Sequence, residues 1–311
     1  MIITQNCIID GMHENAYHAD PAPTPSASRS FLQTLTARTP MHARLEHPRL
    51  NPDFVASNER SFDLGSAAHD YLLGGGDNVM VLDFPDYRTK AAQQERDAVL
   101  ALNRLPILAH KFASVKAMAE AARHQIVAHA DHPGGLQNGK PEQSIFWEED
   151  GLWFRTRPDW ITEDGWLEDY KTTAVAGPDA WMAFHFFDMG YDLQAYMGLR
   201  GYQKATGRAA KGFRFWVQEI EPPYALYCVV PSDMTLETAQ MKFFFGKRIF
   251  GICSKANKWP GYSSKTYIAE PGFKADKSYE QMKEINQQID INEGDLFKIM
   301  MDWQAPLEGA R

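Results

Sequence analysis

Cysteine is nearly absent from this chain: Cys7, Cys228 and Cys253 stand alone and far apart in 311 residues. Three isolated cysteines make neither a disulfide framework nor a metal knuckle, and an iron–sulfur cluster, which needs about four thiolates, is excluded. Also missing is any apolar run long enough to span a membrane, and the opening Met1-Ile2-Ile3-Thr4-Gln5 lacks the basic segment of a secretory leader. The cytoplasm is the expected compartment, with no membrane partner. No internal repeat is visible. Basic residues are in deficit, 32 against 40 acidic ones, for a net charge of -8. A nucleic-acid-binding protein usually carries a basic footprint. The distribution of charge restores that possibility. No Asp or Glu occurs between Asp192 and Glu219, a span holding Arg200, Lys204, Arg208, Lys211 and Arg214. None occurs between Glu237 and Glu270 either, where Lys242, Lys247, Arg248, Lys255, Lys258 and Lys265 lie. Such spans are solvated faces or the lining of a phosphate-tracking groove.

At 44% hydrophobic and 12% aromatic, the chain can bury a substantial core and is expected to form one domain with appendages. Residues 1–50 read as an N-terminal arm, with a Pro-, Ser- and Ala-rich loop over 19–30; 51–270 as the main domain; 271–311 as a helical tail. Apolar-rich runs at 144–147 and 152–157 flank Glu148-Glu149-Asp150-Gly151, a hairpin signal, and 166–170 is a third strand. A helical stretch over 179–205 follows, interrupted at Gly190 and closed by Gly207. Two more strands, 213–220 and 224–230, complete the pattern behind a helical region. The order implies an α/β fold with a central mixed sheet flanked by helices.

Chemistry concentrates in Pro158-Asp159 and, ten residues on, Asp169-Tyr170-Lys171. Strand side chains alternate faces, so Asp169 and Lys171 share one side while Glu168 and Tyr170 point to the other. A turn at Asp164-Gly165 can return Asp159 to the side of Asp169. Two converging carboxylates suit a hard divalent cation such as Mg²⁺, and an adjacent ammonium can orient water and hold a phosphate oxygen. The same residues taken alone would also make an ordinary surface ion pair. In the helix at 64–72, Leu64, Ala67, Ala68, Tyr71 and Leu72 form the buried stripe, and His69 lies off its centre. That leaves His69 as a solvated or a site histidine. Arg155 and Arg157 share a strand face and either meet phosphate or solvate the hairpin.

The Pro-Asp and Asp-x-Lys pattern after a hairpin resembles the PD-(D/E)xK nuclease superfamily, and the longer series resembles its RecE-type (exonuclease VIII-like) phage and prophage exonucleases. That series comprises Tyr17-His18-Ala19-Asp20, Ser26-Ala27-Ser28, Thr39-Pro40, Leu64-Gly65-Ser66-Ala67-Ala68-His69, Tyr87-Arg88-Thr89-Lys90, Glu142-Gln143-Ser144, Arg157-Pro158-Asp159, Asp169-Tyr170-Lys171-Thr172 and Trp259-Pro260-Gly261-Tyr262. The resemblance implies a restriction-endonuclease-like core. It also implies Mg²⁺ (with Mn²⁺ substituting) held by Asp159, Asp169 and the Tyr170 carbonyl, with His69 as a ligand or holder of the attacking water and Glu142 near a second metal. Lys171 would position the water. Gln194 matches a glutamine that relatives carry on the following helix; the tyrosine they place four residues on is Gly198 here, and Tyr196 is two on. The implied activity is exonucleolytic degradation of one strand of linear double-stranded DNA, 5′ to 3′. A homo-oligomeric ring would enclose the DNA end, and a single-strand annealing protein would act as recombination partner. The alternatives are a structure-specific or restriction-type endonuclease and a non-catalytic DNA-binding protein.

Overall fold

The hairpin turns at Asp150 and Gly151, whose φ values of 56° and 79° put both in the left-handed region that a tight two-residue turn requires. It joins β6 (Ser144–Glu149) to β7 (Leu152–Thr156), antiparallel, with Glu149 opposite Leu152. The computed structural model describes residues 3–55, 64–74, 76, 78–102, 104–175, 177–266, 268–269, 280, 282–284 and 287. Met1–Gly261 forms one unit and Tyr262–Arg311 another. The helical tail expected over 271–311 falls almost wholly outside the described residues.

Residues 1–50, expected as an arm, instead contribute to the main unit. β1 (Cys7–Ile9) pairs antiparallel with β6, and β2 (Ser26–Ala27) pairs parallel with β7, giving a four-stranded sheet of order β1-β6-β7-β2. Strands of two or three residues are too short to show period-two alternation, so composition alone reads them as loop. The same segment holds three helices, α1 (Glu14–His18) between the two strands and α2 (Arg29–Ala37) and α3 (Pro40–Leu45) after them. Ser28 and Thr39 cap the last two by accepting from Phe31 N–H at 3.3 Å and His42 N–H at 3.4 Å.

The region ahead of the hairpin, expected to be helical, holds α4 (Leu64–Leu73), α5 (Lys90–Ala101) and α6 (Ala109–Val127), and also a parallel pair of short strands, β3 (Val79–Leu82) and β4 (Leu105–Leu108). A second, five-stranded sheet has the order β11-β10-β9-β8-β5. Its members are β5 (Gly139–Pro141), β8 (Trp160–Thr162), β9 (Trp166–Thr173), β10 (Gly212–Glu219) and β11 (Leu226–Val229). Only β9 and β10 run parallel, and parallel neighbours need a crossover. That crossover is α7 (Pro178–Trp181), a π-helical turn (Met182–Phe186) and α8 (Tyr191–Thr206). Gly190, at φ 70°, breaks the helical run where expected, and Gly207, at φ 72°, closes it.

Helix α8 packs on both sheets and on the long α9 (Asp233–Ala256). Trp147, Phe154, Leu167, Leu193, Met197, Phe213, Phe215, Phe243 and Phe250 fill the space between. Each such side chain, fully buried, stabilises the fold by roughly 1.5–3 kcal/mol. Gly198 lies in this contact: a Cβ there would come within 2.8 Å of the Phe213 ring. No tyrosine fits at that position.

Candidate active site

Eight residues of alternating β9 set the site. On the far face, Glu168 is fully buried, bonded to the Arg214 guanidinium, Trp216 Nε1 at 3.2 Å and Leu136 N–H at 2.6 Å. The Tyr170 hydroxyl on that face donates to the Gln218 side chain. These contacts lock the strand, and the near face presents Asp169 and Lys171, which pair with each other. Asp159 immediately precedes β8, whose Trp160 opposes Glu168 in antiparallel register. Asp159 thus lands across from Asp169, and its Oδ2 accepts from Tyr170 N–H at 2.7 Å.

Three further elements converge. Gly65, Ala67 and Ala68 are buried in α4, and this helix carries His69 to the pair, its Nε2 3.0 Å from Asp159 Oδ2. From α8, Gln194 Nε2 donates to Asp169 Oδ2, while the other amide atom, Oε1, is buried with no hydrogen-bond partner. Glu142, at φ 46°, donates its backbone N–H to the Asp159 carbonyl at 2.8 Å. Its carboxylate, however, is held by Arg157 Nη2 at 2.8 Å, and the Arg157 Nε also donates to the Glu142 carbonyl at 3.1 Å. The structure therefore brings together Asp159, Asp169, Lys171, His69 and Gln194 directly, with Glu142 joined through its backbone and Arg157. Tyr170 takes part through its amide N–H.

Electrostatics separate the two carboxyls. Burial, then the Asp159 charge, push Asp169 up to about 6, which Lys171 and His69 only partly offset. Burial acts on Asp159 too, but His69 and Lys171 outweigh it and hold this carboxyl below the usual range. His69 would be lowered by burial; the charge and hydrogen bond of Asp159 instead raise it to about 9. Lys171 is likewise raised, Asp169 and Asp159 overcoming its desolvation. At neutral pH the cluster is two carboxylates facing an imidazolium and an ammonium.

Among the described residues no three His, Cys, Asp or Glu side chains close into a ready metal cage. The donor chemistry nevertheless fits a hard cation. Burial and the Asp159 charge leave Asp169 raised to about 6 despite Lys171 and His69, and the carboxylate and carbonyl donors here are all oxygens. Asp159 and Asp169 would hold such an ion, which retains several waters and so needs few protein ligands. Two cavities flank the pair. One of about 750 Å³ is lined by His69, Glu142, Arg157, Lys171 and Tyr191 among others. The other, of about 390 Å³, shares His69, Glu142 and Arg157 and adds Asp159, Gln194 and Arg29.

The basic spans need correction. Acids from elsewhere in the chain neutralise much of them: Arg200 is bound by Glu149 at 2.6 Å, Lys211 by Asp164 at 2.6 Å and Lys242 by Asp192 at 2.6 Å. Arg214 is consumed by Glu168, and buried Lys247 by Glu149 at 2.5 Å and Asp150 at 2.6 Å. Lys204, Arg208, Arg248, Lys255 and Lys258 remain exposed. Arg155 does not solvate the hairpin: it is buried against Asp20 at 3.1 Å and the Ser26 carbonyl at 2.7 Å, at the wall of the smaller cavity. Tyr196 is 3.2 Å from Arg200 and packs on Phe243, away from the carboxylates. Sequence reasoning missed Tyr191. Its only signal is its place three residues before Gln194, on the same helix face.

The sequence model of a family described as a PDDEXK-like domain of unknown function (DUF3799) matches residues 28–270. No curated protein matches. Among solved structures, one from Eubacterium rectale described as a "putative exonuclease" superimposes with a TM-score of 0.54. It is 13% identical, over 87% of this chain and 98% of that one. At that identity the likeness is one of fold.

Proposed function

Because the chain belongs to this PDDEXK-like family, we propose that it is a metal-dependent nuclease, and more narrowly a Mg²⁺-dependent exonuclease of the RecE type acting on the ends of linear double-stranded DNA. One observation carries the reading: Asp159, Asp169 and Lys171 meet on one strand face, with His69 and Gln194 each bonded to one of the carboxylates. A purely structural ion pair would not require two carboxylates, one of them raised to about 6, beside two open cavities.

Each residue has a defined task. Tyr170 N–H and His69 fix the rotamer of Asp159, and Gln194 fixes that of Asp169. A bound divalent cation supplies charge at the phosphoryl oxygens and lowers the pKa of an associated water. Lys171 places its ammonium where charge develops on those oxygens. His69, charged at neutral pH, orients the carboxylate it touches and can hold a water. Glu142, tethered beside Asp159 by Arg157, stands near a second ion position. Cleavage 5′ to 3′, assembly into a homo-oligomeric ring around DNA and delivery of the 3′ overhang to a single-strand annealing protein complete the proposal. Support for these last points comes from the RecE-like motif series alone.

The test is incubation of linear and closed circular duplex DNA with Mg²⁺. Loss of the linear form only supports the exonuclease. Loss of both indicates an endonuclease on the same fold, and loss of neither a DNA-binding protein. Asp169→Ala must abolish whatever cleavage is seen.

A further inference from the structure

The Lys171 ammonium has a neighbour besides Asp169: it sits 5.3 Å from the centroid of the Tyr191 ring. That ring does not stand free. It stacks on Trp181 at 5.3 Å with planes 15° apart, and meets Phe215 at 5.6 Å and Phe186 at 6.3 Å. Trp181 and Phe215 are buried, so Tyr191 is the front member of a fixed aromatic stack that ends on the lysine. The backbone leading to it is fixed as well. Gln33 Nε2 donates to the Asp188 carbonyl at 2.7 Å and Arg29 Nη1 to the Met189 carbonyl at 2.9 Å, so α2 holds the start of α8. Both Tyr191 and Lys171 line the larger cavity.

We propose that Tyr191 is the positioning residue for Lys171: one face of α8 addresses both members of the Asp-x-Lys pair, Gln194 binding Asp169 and the Tyr191 ring holding the ammonium over its π-face. The inference rests on the nuclease reading for the lysine's task. Its placement stands on the contacts alone. A lysine side chain has many rotamers, and an ion pair to one carboxylate leaves its three donors free to swing. The aromatic face attracts the cation electrostatically and removes the rotamers that would point it into solvent. This role asks nothing of the hydroxyl, which separates it from that of a phenol acting as acid or hydrogen-bond donor.

The experiment compares Tyr191→Phe and Tyr191→Leu, with and without Lys171→Ala, in steady-state cleavage of linear duplex DNA. The phenylalanine variant should keep wild-type kcat. The leucine variant should lose about tenfold in kcat at unchanged KM, the size expected of a desolvated cation–π contact. In the Lys171→Ala background the leucine substitution should cost nothing more, because the residue it acts through is gone. An equal loss in both backgrounds, a full rate in Tyr191→Leu, or a loss in Tyr191→Phe would overturn the proposal. A second readout needs no activity. In metal-free protein with labelled lysine, the Lys171 ε-methylene protons should be shifted upfield by the ring in wild type and Tyr191→Phe, and not in Tyr191→Leu. Absence of that shift in the wild type sinks the inference. Its presence in a protein that cleaves no DNA sinks the nuclease reading instead and leaves the placement intact.

Discussion

Replacing Asp169 by asparagine should make the metal-free protein more stable while abolishing cleavage. The carboxyl is 1% exposed, and burial with the nearby Asp159 charge moves it from 3.8 to about 6. That displacement corresponds to roughly 3 kcal/mol by which folding disfavours the ionised form. The folded value is above the unfolded one, so the folded state binds the extra proton. The penalty is absent below 3.8, develops as pH rises from there to about 6, and is complete above it. Asparagine removes the charge and keeps an oxygen to accept from Gln194. The assay is thermal or denaturant unfolding of both proteins in EDTA across the acid range. At pH 7.5 the variant should melt several degrees higher, and the gap should close towards pH 4. Added Mg²⁺ should raise the wild-type midpoint by mass action and the variant's much less. A variant less stable than wild type at pH 7.5, or a gap that ignores pH, would mean that Lys171 and His69 already compensate Asp169 and that no cation is called for.

Lys171→Ala should lower turnover by orders of magnitude with Mg²⁺-dependent stabilisation retained, if, as proposed, the ammonium meets developing charge and not the ion; a parallel loss of Mg²⁺ response would reassign it. His69→Ala should cut turnover sharply, and its stability cost should depend on pH. The folded value, about 9, exceeds the ordinary 6.5, so the stabilisation is complete below 6.5 and disappears as pH rises through 9; a pH-independent cost would show that packing, not charge, is lost. Reversing exposed Arg248 and Lys255 to glutamate should weaken DNA binding and flatten its salt dependence by about 0.9 log units for each phosphate no longer neutralised, without changing the melting temperature. Lys247→Glu should instead destabilise the fold, because it would put a third acid beside Glu149 and Asp150; an unchanged melting temperature would contradict the buried network.

What the sequence discloses about this fold is what is local and periodic. Alternation along 166–173 places Asp169 and Lys171 together because the strand's period is two, and Gly190 and Gly207 bound α8 because left-handed backbone favours glycine. His69 stands off the apolar stripe of its helix, and the structure puts it beside Asp159. What stays hidden is long-range pairing. A stretch free of acids in sequence says nothing of Glu149, Asp164 or Glu168 arriving from β6, the β8–β9 turn and β9, which is why the basic spans look richer in sequence than they are in space. Strands as short as β1 and β2 carry no period to detect. Several residues of the motif series turn out to serve the scaffold: Ser28, Thr39 and Thr89 are helix caps, and Asp20 is the counter-ion of Arg155.

The two outer strands of the hairpin sheet lie before residue 28, where the family match begins. A chain trimmed to that boundary would keep Asp159, Asp169, Lys171, His69 and Gln194 and still lose β1 and β2. β6 and β7 would present bare hydrogen-bonding edges next to Phe146, Trp147 and Phe154, the template on which a second chain can add a strand. Without Asp20 and Ser26, the Arg155 guanidinium would be left in the interior with no carboxylate to answer it. Solubility would fail before chemistry does.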